Sequence, residues 1–374
     1  MESAIYSERM STSARVRADA CPGVFATHDA ADGPLARIRL PGGAITSGQF
    51  EALADAADDL GDGALHLTSR GNVQLRGVTR PGLAGRLAAA GLLPSPSHER
   101  VRNILASPLS DTAQKLASAL DEALCAVPEL AELPGRFLFA LDGGQGDVAG
   151  EGADVCWRDG AVLLAGEDTG LRVTAEHAVE TLLSVARAFL RLRGTAWRIS
   201  ELADTTPLIE GVPGETTEPR KFEVNPGLPI GPIGDAVGVA PVFGRLTSAQ
   251  ARKIAKAGNA VVTPWRSILV LGPLEADPGL ITDPDAPSLG ISACVGQPGC
   301  AKSLADVRAD AAKVGRTPRV HFAGCARRCG KPAHEHVDVV ATENGYLVDG
   351  AFVPVGELTE TLATLATLAE KGQQ

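Results

Sequence analysis

Four of the seven cysteines stand in two close pairs near the C-terminal end of the chain. The first pair is Cys294 and Cys300 in ACVGQPGC, and the second is Cys325 and Cys329 in GCARRCG. Four such thiolates can hold a cubane iron–sulfur cluster, or a structural zinc ion, whose paired ligands usually lie about two to four residues apart. The wider first spacing, with Gly and Pro inside it, favours the larger iron–sulfur cluster.

The alternatives to a metal centre are disulfide bonds and inert buried thiols. The N-terminal stretch MESAIYSERMSTSARVRAD is polar and has no apolar run typical of a secretion signal. We therefore expect a cytoplasmic, reducing location, where disulfides are rare. The other cysteines have no partner at ligand spacing and are expected to be small buried residues, namely Cys21, Cys125 and Cys156.

A helix and a strand are expected to position the two pairs. Residues 302–314 carry apolar side chains at helical spacing, so we predict a helix whose N-terminus faces the metal and stabilises the anionic thiolates. Residues 319–322 predict a short strand that leads to Cys325. If Cys325 and Cys329 share one helical turn, their spacing of four residues puts both sulfurs on one side.

A second signal is the polar face of residues 66–76, HLTSRGNVQLR. On a strand alternate residues share a face, which groups His66, Thr68, Arg70, Asn72, Gln74 and Arg76. The ordinary interpretation is the solvated face of a half-exposed sheet. Six hydrogen-bonding groups with two Arg forks could instead hold a flat ligand carrying several carboxylates. Arg102, Asn103 and Arg136, after the next predicted turns, could add to it.

The elements that would carry these residues occur twice. Strand 35–40, helix 47–60 and strands 64–68 and 73–78 are followed, in the same order, by strand 237–243, helix 248–257 and strands 260–263 and 267–271. ITSGQ matches LTSAQ at the start of the two helices, and predicted hairpins at 154–161 and 338–346 correspond more weakly. The sequence therefore predicts an internal duplication. At the positions that match the polar face, the second copy is mostly apolar, so the fold itself does not require that face.

Length and composition limit the class of protein. A chain of 374 residues is longer than a single core usually supports, so two or three packed units are expected. A net charge of −10 with 4% aromatic residues argues against nucleic acid as a partner. No apolar run approaches the roughly 20 residues that span a bilayer, so no membrane partner is expected.

These features together resemble the nitrite and sulfite reductase superfamily, over nearly the whole chain from about residue 20. The residues that carry the resemblance are the duplicated units, Thr68-x-Arg70-x-x-x-Gln74, Arg102-Asn103 and the spacing of the four paired cysteines. The resemblance implies an internally duplicated α+β fold with two ferredoxin-like half-domains and two α/β domains of the reductase type. It also implies a [4Fe–4S] cluster, held by the four cysteines, beside a bound tetrapyrrole.

The same resemblance predicts how the chain divides. The predicted parts are a disordered tail (1–19), ferredoxin-like half-domain 1 (20–95), a reductase-type domain without cluster ligands (96–203), a linker (204–235), ferredoxin-like half-domain 2 (236–285) and a [4Fe–4S]-binding domain (286–374). The linker is the stretch in which Pro and Gly are dense.

Within the superfamily the details look more like the precorrin-3B synthases than the assimilatory reductases. The reductases usually read Cys-Pro-Asn-x-Cys at the second pair, where this chain has CARRC, and they place two lysines near the anion, where this chain offers Arg136. The openings CPG at 21–23 and GCA at 324–326 are similar to those of the synthases. The chain is also short for a reductase of this kind.

The resemblance to the synthases implies a monooxygenase of aerobic cobalamin biosynthesis. The reaction would be an O2-dependent hydroxylation of precorrin-3A at the meso carbon beside ring A, coupled to lactone closure by the ring A acetate. Electrons would come from an external ferredoxin or an NAD(P)H-dependent reductase, because no flavin or nicotinamide domain is evident. The predicted tetrapyrrole-binding residues are Thr68, Arg70, Asn72, Gln74, Arg76, Arg102, Asn103 and Arg136; the sequence identifies no catalytic residue.

Two other functions stay open. One is a siroheme-dependent sulfite or nitrite reductase, in which the last cysteine, Cys329, would also bridge to the haem iron. The other is a non-catalytic iron–sulfur electron carrier. A second, mononuclear non-haem iron is a further candidate cofactor, with His321, His334 and His336 as ligands, although a histidine in such a place more often only hydrogen-bonds.

Overall fold

The computed structural model describes residues 21–225, 227, 229–315, 317–332 and 334–372. The predicted tail 1–19 lies outside them. The described residues form four sheets and seven α-helices, and the fold is the predicted internally duplicated α+β fold.

The first half of the chain contains strands β1 to β11 and helices α1 to α4. Their bounds are β1 His28–Ala30, β2 Gly33–Ile38, β3 Ala44–Ile45, α1 Ser47–Leu60, β4 Ala64–Leu67, β5 Val73–Arg76, α2 Leu83–Ala89, β6 Ile104–Ala106, α3 Asp111–Cys125, β7 Phe139–Asp142, β8 Val155–Arg158, β9 Ala161–Leu164, β10 Glu167–Arg172, α4 Ala175–Leu192 and β11 Glu215–Thr216. Strand β11 lies within the predicted linker and adds to the sheet of the preceding strands.

The second half contains strands β12 to β22 and helices α5 to α7. Their bounds are β12 Gly231–Ile233, β13 Ala236–Pro241, β14 Arg245–Thr247, α5 Ser248–Ala257, β15 Asn259–Val262, β16 Ile268–Leu271, β17 Leu280–Ile281, β18 Ile291–Ala293, α6 Val307–Ala311, β19 Val320–Ala323, β20 Val337–Ala341, β21 Gly345–Val348, β22 Ala351–Pro354 and α7 Leu358–Gly372.

The two half-domains exchange an edge strand. One sheet has the order β1-β2-β5-β4-β14 and the other has the order β12-β13-β16-β15-β3, so each sheet ends on a strand from the other half of the chain. Helices α1 and α5 contact each other, and one hydrophobic core contains Phe50 and Leu53 of the first copy with Leu246 and Ile254 of the second. The duplicated units therefore share a single core.

The two remaining sheets also repeat one pattern. In the order β11-β10-β9-β8-β7-β6, strands β6, β7 and β8 are parallel, and in the order β18-β19-β20-β21-β22, strands β18, β19 and β20 are parallel. The antiparallel pairs β8–β9 and β20–β21 are the two predicted hairpins. The weaker correspondence between the two halves is thereby confirmed.

The bounds of α1 and α5 agree with the predicted helices 47–60 and 248–257. Each begins with a capping box, in which a Thr side chain accepts from the backbone N–H of a Gln three residues later and the Gln side chain accepts from the Thr N–H. This exchange satisfies backbone donors that a helix start leaves unpaired. The ITSGQ and LTSAQ matches are thus repeated helix starts.

Two predicted features are wrong. The helix expected over 302–314 is reduced to α6, because the Asp306 side chain caps it by accepting from Ala309 N at 3.1 Å, while Leu304 N donates instead to Gly324 O at 2.8 Å. The single polar face predicted over 66–76 is also interrupted, because this segment forms the two separately predicted strands 64–68 and 73–78, observed as β4 and β5. Thr68 N donates to Asn72 O at 3.0 Å, which closes a hairpin turn between β4 and β5.

Candidate functional site

A cavity of about 430 Å³ lies between the β2-β5-β4 face of the first half-domain and the two cysteine loops. Side chains from both sides line it. The sheet contributes Arg37, His66, Thr68, Gln74 and Arg76, and the loops contribute Cys294, Cys300, Cys325 and Cys329. The structure therefore brings the two separate sequence signals, the cysteine pairs and part of the polar face, to one place.

The topology explains why the cysteine pairs meet. Strands β18 and β19 are parallel neighbours, so their carboxyl ends lie at the same edge of the sheet, and each leads into one cysteine loop. Cys294 N donates to Phe322 O at 2.9 Å and continues the ladder into the first loop. In the second loop Arg328 N donates to Cys325 O at 3.1 Å, which makes a turn. Cys325 and Cys329 therefore flank a turn and do not share a turn of α-helix.

The first loop packs closely on the second. Gly324 N donates to the Cys294 sulfur at 3.1 Å. A Cβ at Gly324 would lie 1.9 Å from the Ser303 hydroxyl oxygen, so only glycine fits there. Burial raises the pKa of the Cys294 thiol, whereas a bound metal would favour its thiolate.

The four thiols are the type and number of donors that a cubane iron–sulfur cluster takes. Within the described ranges, no three His, Cys, Asp or Glu side chains are grouped so that they could hold one metal ion. A cubane cluster takes four Cys thiolates on four different irons, so its ligands surround a larger body than the ligands of a zinc ion do. Four thiols that line one cavity of this size agree with that requirement. The assignment of the four ligands stays a prediction.

A row of polar side chains crosses the sheet that faces the cysteines. The pairing register places Arg37 beside Gln74, Gln74 beside His66, and His66 beside Arg245 of the exchanged strand β14. With its amide oxygen turned towards Arg37, Gln74 accepts from Arg37 Nε at 3.2 Å and from Nη2 at 2.7 Å. Gln74 thereby holds the Arg37 guanidinium in place at the cavity wall.

The cavity is strongly basic in a chain that is acidic. Its lining includes six Lys or Arg residues and one carboxylate, that of Asp32, and the Arg76 guanidinium already binds Asp32. The six cations are Arg37, Arg76, Arg266, Lys302, Arg308 and Arg327. Burial lowers the pKa of Arg37, Arg266 and Arg308, because it withdraws their charge from water. Such a lining would bind a ligand with several negative charges.

Five predicted ligand-binding residues lie outside the lining of this cavity. Asn72 is 1% exposed, and its Oδ1 accepts from the backbone of Leu40 at 2.9 Å. Arg70 donates to the carbonyl of Arg136 at 3.2 Å, and the Arg136 guanidinium lies 5.2 Å from the ring centroid of Trp197. These three residues join elements of the first half of the chain to one another.

The other two of the five, Arg102 and Asn103, are buried and held by protein groups. The Arg102 guanidinium makes a two-point contact with Asp121, at 2.7 Å from Nε and 2.6 Å from Nη2. The Asn103 side chain donates to Gly135 O at 3.0 Å and accepts from Arg39 Nε at 3.2 Å. Both residues therefore have structural partners in the protein.

Of the six cations of the lining, only Arg76 was predicted from the sequence, and five were missed: Arg37, Arg266, Lys302, Arg308 and Arg327. Arg37 could have been found, because the alternation of LARIRL puts it on the face that meets Gln74. Arg266 and Arg308 lie in irregular or short segments, and their positions follow from contacts to the cysteine loops. Arg308 Nε donates to Cys294 O at 3.1 Å, and Arg266 Nη2 donates to Gly330 O at 3.3 Å.

The three histidines near the second cysteine pair do not line the cavity. His321 is fully buried, its Nδ1 lies 2.9 Å from Ser292 Oγ, and burial lowers its pKa to about 4. His336 Nδ1 bonds to the carbonyl of His334 at 2.7 Å. Among the described residues, Nε2 of both His321 and His336 has no hydrogen-bond partner. A role for these rings as iron ligands stays a prediction.

Comparison with known proteins shows what this chain is similar to. Residues 28–89 match the model of the nitrite/sulfite reductase ferredoxin-like half domain. The chain is 26% identical to a ferredoxin–nitrite reductase of Synechococcus elongatus, over 86% of this chain and 79% of the relative. It is 25% identical to a precorrin-3B synthase of a Sinorhizobium species, over 91% of this chain and 84% of the relative.

The solved structure of the Mycobacterium tuberculosis NirA protein has the same fold. It superposes with a TM-score of 0.63 at 20% identity and covers 87% of this chain and 79% of that one. The resemblance to the nitrite and sulfite reductase superfamily is thereby confirmed, and the named relatives support an oxidoreductase. Within the described residues, no helix is long and apolar enough to cross a membrane.

Proposed function

We propose that this chain is a precorrin-3B synthase, a monooxygenase that hydroxylates precorrin-3A with O2 and closes the ring A lactone. The observation that carries the proposal is the basic cavity, in which six cations and one paired carboxylate line the same space as four cysteines. Precorrin-3A is a tetrapyrrole with several carboxylates, so its charge complements this lining. The relative named precorrin-3B synthase, which aligns with 91% of the chain, supports the choice.

In this proposal the four cysteines hold a [4Fe–4S] cluster, which supplies one-electron transfer when bound. Electrons come from an external ferredoxin or NAD(P)H-dependent reductase. We infer a cytoplasmic location, since such clusters persist where thiols are kept reduced.

The residues of the cavity wall bind and orient the tetrapyrrole. Arg37 and Arg76 are held by Gln74 and Asp32 on the sheet, and Arg266 and Arg308 lie on the side of the cysteine loops. Guanidinium groups on both sides of the cavity would bind carboxylates at opposite edges of a flat ring. This arrangement fixes the ring in one orientation, which a regiospecific oxidation requires.

A siroheme-dependent nitrite or sulfite reductase is the second candidate, and the ferredoxin–nitrite reductase that aligns with 86% of the chain favours it. The same basic cavity would then hold the carboxylates of siroheme. Cys329, which is exposed in the cavity lining, would lie beside the haem.

One experiment separates these functions. Protein is purified anaerobically, its cluster is reconstituted, its absorption spectrum is recorded, and an acid–acetone extract is examined for siroheme. The synthase predicts a broad thiolate-to-iron band, no siroheme, and precorrin-3A turnover that stops without O2. Extractable siroheme with nitrite or sulfite reduction would establish the second candidate. A reducible cluster with no turnover of any of these substrates would leave an electron carrier.

A further inference from the structure

We propose that His66 transfers protons to the ligand bound in the cavity and that Asp62 is the positioning residue that holds its ring. The inference rests on the proposed function, because it assigns a role in that reaction. The sequence placed His66 on the polar face of residues 66–76, but neither the sequence motifs nor the family resemblance pairs it with Asp62. The pair is identified because His66 lies in the cavity wall and Asp62 contacts its ring.

The geometry of the pair is that of an oriented acid–base group. His66 Nε2 lies 2.8 Å from Asp62 Oδ2, and His66 is 7% exposed and lines the cavity. Its strand β4 is paired on both sides, with β5 at Gln74 and with β14 at Arg245. The backbone of His66 is therefore rigid, and the carboxylate of Asp62 sets the angle of its ring.

The hydrogen bond to Asp62 also sets the tautomer. A carboxylate accepts only, so Nε2 carries the proton and Nδ1 carries the lone pair. Among the described residues, no group hydrogen-bonds to Nδ1. The ring can thus take a proton at Nδ1, and the imidazolium that results is stabilised by the carboxylate behind it, as in other His–Asp pairs.

Burial and the charges around the His66 ring make the imidazolium give up its proton readily. Burial lowers the pKa of His66, the Asp62 carboxylate opposes this, and the nearby cations Arg76 and Arg308 lower it further. The positive charge of Arg245 lowers the pKa of Asp62 and so helps to keep it ionised. The ring is therefore held neutral, with its acceptor nitrogen ready, and a protonated ring is a stronger acid than a free histidine.

The proposed reaction consumes protons that this pair can supply. One oxygen atom of O2 enters the tetrapyrrole, and the other leaves as water after it takes up two electrons from the external donor and two protons. His66 accepts a proton from solvent water at Nδ1 and passes it to the oxygen that leaves as water. The ring then returns to its neutral form and can deliver the second proton in the same way.

The simpler interpretation is an ordinary ion pair that only stabilises the turn before β4. The test uses the reconstituted enzyme with precorrin-3A, O2 and a reducing partner, and compares His66→Gln, Asp62→Asn and Asp62→Glu. The control is His98→Gln, since His98 is a buried histidine, 2% exposed and hydrogen-bonded to Val127 O at 3.0 Å, outside the cavity lining.

We expect His66→Gln to lower kcat by about 10²- to 10⁴-fold, the usual contribution of general acid–base catalysis. Ligand affinity should change less than about threefold. Asp62→Asn should lower kcat less and move the limb of the pH–rate profile that reports His66 to lower pH, because the imidazolium loses its counter-charge. Asp62→Glu should restore part of the rate. Unchanged kcat in His66→Gln, or an equal loss in His98→Gln, would overturn the inference.

A second measurement does not depend on turnover. In protein labelled with carbon-13 histidine, the His66 signal is identified by its loss in His66→Gln and is titrated with and without uroporphyrin, a tetrapyrrole polycarboxylate. The His66 pKa should rise when the ligand binds, since its negative charge favours the imidazolium. An unchanged pKa in the bound state would overturn the inference. Wild-type protein that fails to oxidise precorrin-3A but reduces nitrite would refute the proposed function and not the role of His66. That role would then be tested by comparing the nitrite reduction rates of the variants with that of the wild type.

Discussion

Two arginines should respond in opposite ways to replacement by alanine. Arg102 is 5% exposed in its side chain and is held by Asp121, itself 15% exposed, so Arg102→Ala leaves a buried carboxylate unpaired. Breaking a buried pair costs about 3–5 kcal/mol. In domains of about 150–250 residues each kcal/mol lowers Tm by roughly 2–4 °C, so we expect Tm to fall by at least about 6 °C. Tetrapyrrole affinity of the folded protein should be unchanged.

Arg37→Ala should do the reverse. Arg37 is half-buried in the cavity wall and its contact is with the neutral amide of Gln74, so little stability depends on it. A hydrogen bond to a charged group contributes about 1.5–3 kcal/mol to binding. Its loss in Arg37→Ala should therefore raise the Kd for a carboxylate ligand by about 10- to 100-fold. Tm should change little.

The assay pairs thermal unfolding with titration of uroporphyrin, followed by absorbance, on the wild type and both variants. Arg86→Ala is the control, because its partner Asp59 is 57% exposed and such surface pairs are worth about 0–1 kcal/mol. The reasoning is refuted if Arg102→Ala weakens binding tenfold at unchanged Tm, or if Arg37→Ala binds like the wild type.

Three further predictions concern stability and are read from Tm. Gly43→Ala should lower the free energy of unfolding by at least about 1–3 kcal/mol, because the φ of Gly43 is +75° and a Cβ there would lie 2.0 Å from a carbonyl oxygen of β15. Gly85→Ala is the control: Gly85 lies in an open position of helix α2, so this change should raise the free energy of unfolding by up to about 1 kcal/mol. Leu246 is fully buried in the exchanged strand β14, so Leu246→Ala should lower the free energy of unfolding by about 2–5 kcal/mol. A loss below about 1 kcal/mol would contradict a core shared by the two half-domains. Hydrogen bonding to Lys253 lowers the pKa of Asp277 to about 2. The ionised carboxylate of Asp277 therefore stabilises the fold fully above about pH 4, the ordinary pKa of Asp, and this stabilisation is lost as the pH falls towards 2. Asp277→Asn should therefore lower Tm at neutral pH, and the difference should shrink as pH falls through that range.

Much of the local structure could be predicted from the sequence. Helices α1 and α5 were predicted with their observed bounds, because capping boxes and apolar periodicity act within a few residues. The helix expected at 302–314 was wrong for a complementary reason. Its apolar spacing is real, but Leu304 finds a backbone partner at Gly324 in the second cysteine loop, a contact that no local pattern contains.

The candidate site shows the same division. Sequence spacing was enough to single out the four cysteines and Thr68, Gln74 and Arg76, and the structure places all seven in one cavity lining. The sequence could not tell Arg76 from Arg102, since both are arginines near predicted turns. The partner of Arg102 is a carboxylate on helix α3, and packing alone decided that this arginine is used by the fold.

The sequence by itself determined the duplication, the α+β class and the two close cysteine pairs, because each depends on the order and spacing of nearby residues. Tertiary structure alone decided that β3 and β14 are exchanged between the half-domains, and that Arg37, His66 and Arg308 face the cysteine loops. His66 and Cys294, for example, lie more than 200 positions apart along the chain. A charged side chain is available to a ligand only if packing leaves it open to a cavity, as it does Arg37 and Arg308 but not Arg102, and that depends on every element that surrounds it.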